Sequence, residues 1–167
     1  MSNPNKRKGK YFEDKITKDY QILFNLNKID CYRSSNSGAR TSIEYNGDIT
    51  FSDPIKYNLI TECKFYKDLT LDHIFPICQS YIDNWLKQSE IEKEHYIKEF
   101  NKIPLSIIIA SRPFNHNNHY VIITNNNFSL SSNISEYIIF KSSKMNRSYI
   151  LINYSNITLL FEQFNLL

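Results

Sequence analysis

Gly47-Asp48-Ile49-Thr50-Phe51 and, beyond the turn signal Asp53-Pro54, Ile60-Thr61-Glu62-Cys63-Lys64-Phe65 are the two short runs on which the reading of this chain turns. In each the residues alternate, and a strand sends successive side chains to opposite faces, so strands are predicted over 47–52 and 59–66. Glu62 and Lys64 then share a face with their Cα atoms about 6.6 Å apart, two strand rises. Cys63 points the other way, toward a core, while its backbone carbonyl remains available as an oxygen ligand. If the two strands pair, Asp48 joins Glu62 and Lys64, and two carboxylates and an ammonium group meet on one surface. Asp53 is a turn former first and a ligand only in reserve.

Working outward, residues 8–26 predict a helix, because Phe12, Ile16, Tyr20, Leu23 and Phe24 recur at three- and four-residue spacing in one apolar stripe. Glu13 lies at the edge of that stripe, where a carboxylate can reach over the helix border toward a sheet. A short strand is expected over 29–33. Ser34-Ser35-Asn36-Ser37-Gly38-Ala39-Arg40 follows with the composition of a loop. Its hydroxyls, its backbone N–H groups and the flanking Arg33 and Arg40 suit phosphates or an ordinary turn equally.

Downstream, Ile74, Ile77 or Cys78, Tyr81, Ile82, Trp85 and Leu86 form a helical stripe. Ser89-Glu90-Ile91-Glu92 has capping-box spacing, which predicts a second helix start running to about Phe100 with Tyr96 and Phe100 buried. Trp85 and Gln88 can touch DNA, although a lone Trp on an apolar stripe is usually core. Strands are expected over 105–110, 120–124, 137–141 and 149–154, and a closing helix over 157–164. His116-Asn117-Asn118-His119 invites reading as a metal pair, but no third ligand is near in sequence and a structural or solvent role is expected.

The 167 residues suit one domain over 1–167, with 1–7 as a flexible basic arm. Hydrophobic residues at 41% and charged residues at 22% argue for a soluble globule rather than a disordered chain. A net charge of +3 is too small to announce a polyanion partner, so distribution matters more: Lys6, Arg7, Lys8 and Lys10 precede the first acid. Cys31, Cys63 and Cys78 lack C-x-x-C spacing, which argues against a disulfide framework or a zinc site and fits a reducing, intracellular setting. The N-terminus shows no apolar signal-peptide core, and no run approaches the roughly 18 apolar residues of a membrane span, so no membrane partner is expected.

Carboxylate oxygens suit Mg²⁺, which takes one or two of them and keeps several waters, a requirement that Asp48 and Glu62 meet. Such an ion polarises a phosphodiester and makes a nucleophile of water at neutral pH. Lys64 can orient or deprotonate that water and neutralise charge building on phosphorus, whereas an arginine would not give up its proton. Glu-x-Lys is also a common exposed cross-strand pattern. Its setting among Ile49, Phe51, Leu59, Ile60 and Phe65 argues instead for a buried sheet, where unpaired charges are expensive and usually functional.

Taken in order, Lys8-Gly9-Lys10-Tyr11-Phe12-Glu13 on the first helix, Ser37-Gly38 in the following loop, Gly47-Asp48 and Glu62-Cys63-Lys64 resemble the PD-(D/E)xK nuclease superfamily. Within it they resemble the Holliday junction resolvases of archaeal type and their phage relatives. The order helix, three strands, helix, two strands matches through about Thr124, and Gly47 stands where the motif's name has proline. The resemblance implies an α/β restriction-endonuclease-like fold, a mixed central β-sheet flanked by helices. It assigns catalysis to Glu13, Asp48, Glu62 and Lys64, with a contribution from Ser37. It places Mg²⁺ or Mn²⁺ on Asp48, Glu62, the backbone carbonyl of Cys63 and Glu13, and implies no small-molecule cofactor. The implied reaction is hydrolysis of DNA phosphodiesters to 5′-phosphate and 3′-hydroxyl ends on branched four-way junctions. Two symmetric incisions call for a two-fold homodimer. Lys6, Arg7, Lys8, Lys10, Arg33 and Arg40 are the expected phosphate contacts, reading shape rather than base sequence. Two other readings stay open: a restriction- or repair-type endonuclease of the same superfamily, and a non-catalytic DNA-binding module on the same fold.

Overall fold

The computed structural model describes residues 4–34, 47–65, 79–111, 119–124, 130–142 and 144–167; Ser37, Arg40, Cys78 and His116 lie outside them. Helix α1 spans Pro4–Leu23 and buries Phe12, Ile16 and Tyr20, the stripe read from the sequence. Its boundaries differ from the expected 8–26. It begins at Pro4, whose fixed φ and missing N–H suit a first turn. It ends at Leu23 because Asn25 turns left-handed at φ 51°. Leu26 N–H then reaches back to the Gln21 carbonyl (2.8 Å) and Asn25 N–H to that of Ile22 (3.2 Å), the paired closure of a Schellman motif.

Strands β1 (Cys31–Arg33) and β2 (Ile49–Phe51) form a two-stranded antiparallel ribbon. Asp53 caps the short helix α2 (Pro54–Tyr57) by accepting from Lys56 N–H at 2.9 Å, the turn role expected of it. Next come β3 (Leu59–Phe65), the long helix α3 (Gln79–Phe100), β4 (Leu105–Ser111), β5 (His119–Ile123), β6 (Tyr137–Ser142) and β7 (Arg147–Asn153). A 3-10 turn at Tyr154–Asn156 leads into the closing helix α4 (Ile157–Gln163). The larger sheet has the order β3-β4-β5-β7-β6. Only β3 and β4 pair in parallel, with Glu62 opposite Ile108 and Lys64 opposite Ala110. A parallel pair needs a crossover, and α3 lies in it.

Every residue of β4 is buried, and its alternation divides the core in two. Ile107 and Ile109 pack with Phe12, Ile16 and Tyr20 of α1 and with Phe161 of α4. Ile108 and Ala110 pack with Ile82, Trp85 and Leu86 of α3. The result is a mixed sheet with helices on both faces, the restriction-endonuclease-like architecture, and Trp85 is core rather than a DNA contact. One expectation fails. Ser89 does not restart a helix, because α3 runs unbroken through it. The buried Ser89 hydroxyl meets those of Ser106 (2.8 Å) and Thr124 (3.0 Å), tying the helix to the sheet instead of capping a helix end. Among the described residues no helix is long and apolar enough to cross a membrane.

Candidate active site

Asp48 reaches β3 at the strand's edge, not from a facing strand. Gly47 makes an isolated parallel bridge to Thr61, and its φ of +85° is a conformation that glycine adopts without strain. Asp48 N–H then donates to the Thr61 carbonyl (2.8 Å), and the Asp48 carboxylate accepts the Cys63 N–H at Oδ2 (2.7 Å). The side chain thus takes the rung that a neighbouring strand's carbonyl would fill. In a strand the N–H and C=O of one residue point to the same side. The Cys63 carbonyl therefore faces the Asp48 edge, while its side chain enters the core under α1. Ser34 closes the ribbon on the other side: its N–H donates to the Asp48 carbonyl (2.9 Å) and its hydroxyl to the Gly47 carbonyl (2.8 Å). Behind β3, the Tyr20 and Thr61 hydroxyls meet at 2.9 Å.

Glu62 and Lys64 lie on the opposite face of β3 from Cys63, toward α3, and Lys64 Nζ donates to Glu62 Oε2 at 2.7 Å. Two side chains one helical turn apart on α3 complete the group. Gln88 Nε2 donates to Glu62 Oε2 (2.9 Å) and to Glu92 Oε1 (2.9 Å), and Gln88 Oε1 accepts from Lys64 Nζ (3.0 Å). Sequence reasoning missed Glu92, which it used up as the reciprocal glutamate of a capping box, and saw in Gln88 only a possible DNA contact.

Asp48 and Glu62 are 8% and 2% exposed. Burial, reinforced by the Glu62 carboxylate, pushes the Asp48 carboxyl up to about 8. Burial and then Glu92 do the same for Glu62, also to about 8. Glu92 is itself raised, chiefly by burial. Its Oε2 is buried with no hydrogen-bond partner among the described residues. Burial alone would lower Lys64, but Glu62 and Asp48 outweigh it and hold the ammonium above its usual value. Lys64 Nζ is thus a donor to both Glu62 and Gln88.

Glu13 stands close enough to raise Asp48 electrostatically, and it is ion-paired with Arg33 at 3.3 Å. Arg33 also binds Asp14 through Nε at 3.2 Å, so its guanidinium is engaged by two α1 carboxylates. Arg7, Lys8 and Lys10 are exposed along α1. His119 is 4% exposed, its Nε2 2.7 Å from Lys15 Nζ and its ring edge-on to Phe12 and Tyr154, the structural role expected of it.

Among the described residues no group of three or more His, Cys, Asp or Glu side chains is arranged to hold a metal ion. A Mg²⁺ ion needs only one or two carboxylates. Asp48, Glu62 and the edge-facing Cys63 carbonyl offer oxygen donors of the kind such an ion takes, and burial is the largest cause of the rise of both carboxyls. The residues present therefore fit a hard divalent cation. No curated protein and no solved structure matches the chain. A family model described as "Phage putative PDDEXK endonuclease" matches residues 4–166, nearly the whole length. Fold and match agree, and the chain belongs to that phage family of PD-(D/E)xK endonucleases.

Proposed function

We propose that the chain is a Mg²⁺- or Mn²⁺-dependent, structure-specific DNA endonuclease that resolves four-way junctions as a two-fold dimer. What supports the hydrolytic reading is that Asp48, held at the edge of β3, lies close enough to feel the charges of Glu62 and Lys64 on its α3-facing side. The preference for junctions rests on the likeness to Holliday junction resolvases in the order of Glu13, Ser37, Asp48 and Glu62-Cys63-Lys64. Asp48, Glu62 and the Cys63 carbonyl would hold the metal, with Glu13 beside them. When bound, the ion supplies Lewis-acid polarisation of the scissile phosphate and a nucleophile from water. Asp48, locked to β3 through two hydrogen bonds, fixes where the phosphate is met. Lys64 donates toward the developing negative charge on phosphorus. Lys6, Arg7, Lys8, Lys10 and Arg40 supply backbone phosphate contacts, and Arg33 joins them by sharing its ion pairs with Glu13 and Asp14.

The test is cleavage of a synthetic four-way junction and a matched linear duplex in Mg²⁺, with the native chain, Asp48→Asn and Lys64→Ala. The native chain should cut the junction in preference to the duplex, leaving 5′-phosphate ends. Each variant should lose at least about a hundredfold, the scale of one electrostatic or acid–base catalyst. Equal cutting of both substrates would assign the chain to a restriction- or repair-type activity. An active Asp48→Asn would refute the mechanism, and DNA binding without cutting would leave a non-catalytic module.

A further inference from the structure

We infer that Gln88 is a positioning residue for the cleavage reaction: its amide sets the Lys64 ammonium and the Glu62 carboxylate in one fixed geometry and anchors both to α3. The inference rests on the proposed hydrolysis and extends it to a residue outside the motif. Gln88 sits on the exposed side of α3, where a glutamine owes nothing to packing, yet its amide group is used in three directions. Both Nε2 hydrogens go to carboxylates, Glu62 Oε2 and Glu92 Oε1, each at 2.9 Å, and Oε1 accepts from Lys64 Nζ at 3.0 Å. This pattern fixes which way the amide lies, since the flipped group would set its oxygen against two carboxylates and its NH₂ against an ammonium.

The arrangement has a chemical consequence. Lysine and glutamate side chains at the border of a sheet turn among several rotamers, and an ion pair alone leaves the ammonium free to swing around the carboxylate. With Glu62 and Gln88 each accepting one hydrogen, Nζ is held at two points, and its third hydrogen, which has no acceptor among the described residues, is aimed in one direction. That hydrogen can meet a phosphate oxygen. Glu92 holds the amide from the far side, so the position of Lys64 is set by a helix rather than by its own flexible stem. Catalysis is sensitive to such placement, since a displacement of about 1 Å can cost on the order of a hundredfold.

The experiment compares the native chain with Gln88→Leu, Gln88→Glu and, as a control on the same exposed side of α3, Asn84→Ala, in single-turnover DNA cleavage at saturating Mg²⁺. DNA affinity in EDTA and thermal unfolding are measured alongside. Gln88→Leu removes all three hydrogen bonds and should lower kcat by about thirtyfold with KM, DNA affinity and Tm near native. Gln88→Glu keeps the shape and the acceptor for Lys64 but sets a third carboxylate against Glu62 and Glu92, and should lose more than Leu, about a hundredfold. A filler or helix-stabilising role would rank them the other way, because glutamate is the closer isostere. Asn84→Ala should keep the native rate. The inference is overturned if either Gln88 variant cuts within about threefold of the native rate, if the loss lies in KM and DNA affinity, or if Glu is milder than Leu. A native chain that cuts no DNA would fail the proposed function itself and is read separately.

Discussion

Gly47→Ala tests whether Asp48 is placed by backbone geometry. A Cβ at this position would lie 2.5 Å from the Thr61 carbonyl oxygen and 3.0 Å from the Thr61 carbonyl carbon and nitrogen, all of them backbone atoms. Restoring ordinary contact needs a displacement of about 0.9 Å. β3 cannot supply it, because it is paired with β4 along its whole length from Leu59 to Phe65. The shift therefore falls on Gly47 and Asp48, and the bonds to Thr61 O and Cys63 N, now 2.8 and 2.7 Å, stretch to the limit of hydrogen bonding. An alanine at φ +85° adds roughly 1–2 kcal/mol of conformational cost. With weakened hydrogen bonds the total is about 2–4 kcal/mol, or a Tm lowered by roughly 5–15 °C. Cleavage should fall further than stability, by about a hundredfold at a temperature where circular dichroism shows the variant folded. Single-turnover cleavage with thermal unfolding in parallel checks both. A folded Gly47→Ala that cuts within about threefold of the native rate would refute the idea that this bridge aims the carboxylate.

Two further predictions concern stability. In EDTA the folded chain holds protons on Asp48 and Glu62 up to about pH 8 that the unfolded chain releases near its ordinary carboxylate values. The native state thus binds more protons than the unfolded one between those limits, so stability falls as pH rises from about 4 to about 8 and levels off above. Tm should decline over that window. Asp48→Asn should flatten the decline, and Mg²⁺ at pH 8 should raise Tm; an Asp48→Asn profile parallel to the native one would contradict the assignment. Ser89→Ala, which removes the hydroxyl between Ser106 and Thr124, should cost about 1–3 kcal/mol by unfolding in denaturant while leaving the cleavage rate unchanged. An unchanged unfolding midpoint would show that water replaces the hydroxyl.

The parts of the fold that were legible in the sequence are those whose signal is local. The α1 stripe, the alternation that put Glu62 and Lys64 on one face, and the turn-forming role of Asp53 need only a periodicity or a turn preference, and each reappears in the structure. Asp48 lies close enough to feel the Glu62 charge, but the manner of its approach was not legible. It arrives through a single bridge, and its side chain replaces a backbone acceptor, a substitution that no strand pattern announces. Ser89 and Glu92 show the opposite failure. Their spacing satisfies a local rule for starting a helix, and tertiary partners override it: sheet hydroxyls claim Ser89, while Gln88 and Glu62 claim Glu92. A polar residue on the outer side of a helix carries no mark of what a distant strand will bring to it, so Gln88 could be recognised only after folding.

The Ser34 clasp has a consequence for how such an enzyme can change. Ser34 and Gly47, the described residues on either side of 35–46, are bound directly to each other. Closing a loop on a fixed neck costs free energy that grows only slowly with its length. An insertion, deletion or exchange within that segment therefore leaves Asp48 where it is. The segment carries Arg40, an expected phosphate contact, and Ser37, to which the resemblance gives a contribution to catalysis, whereas Asp48 sits on the far side of the knot. Sequence change between those two ends can therefore be absorbed without moving the Asp48 carboxylate.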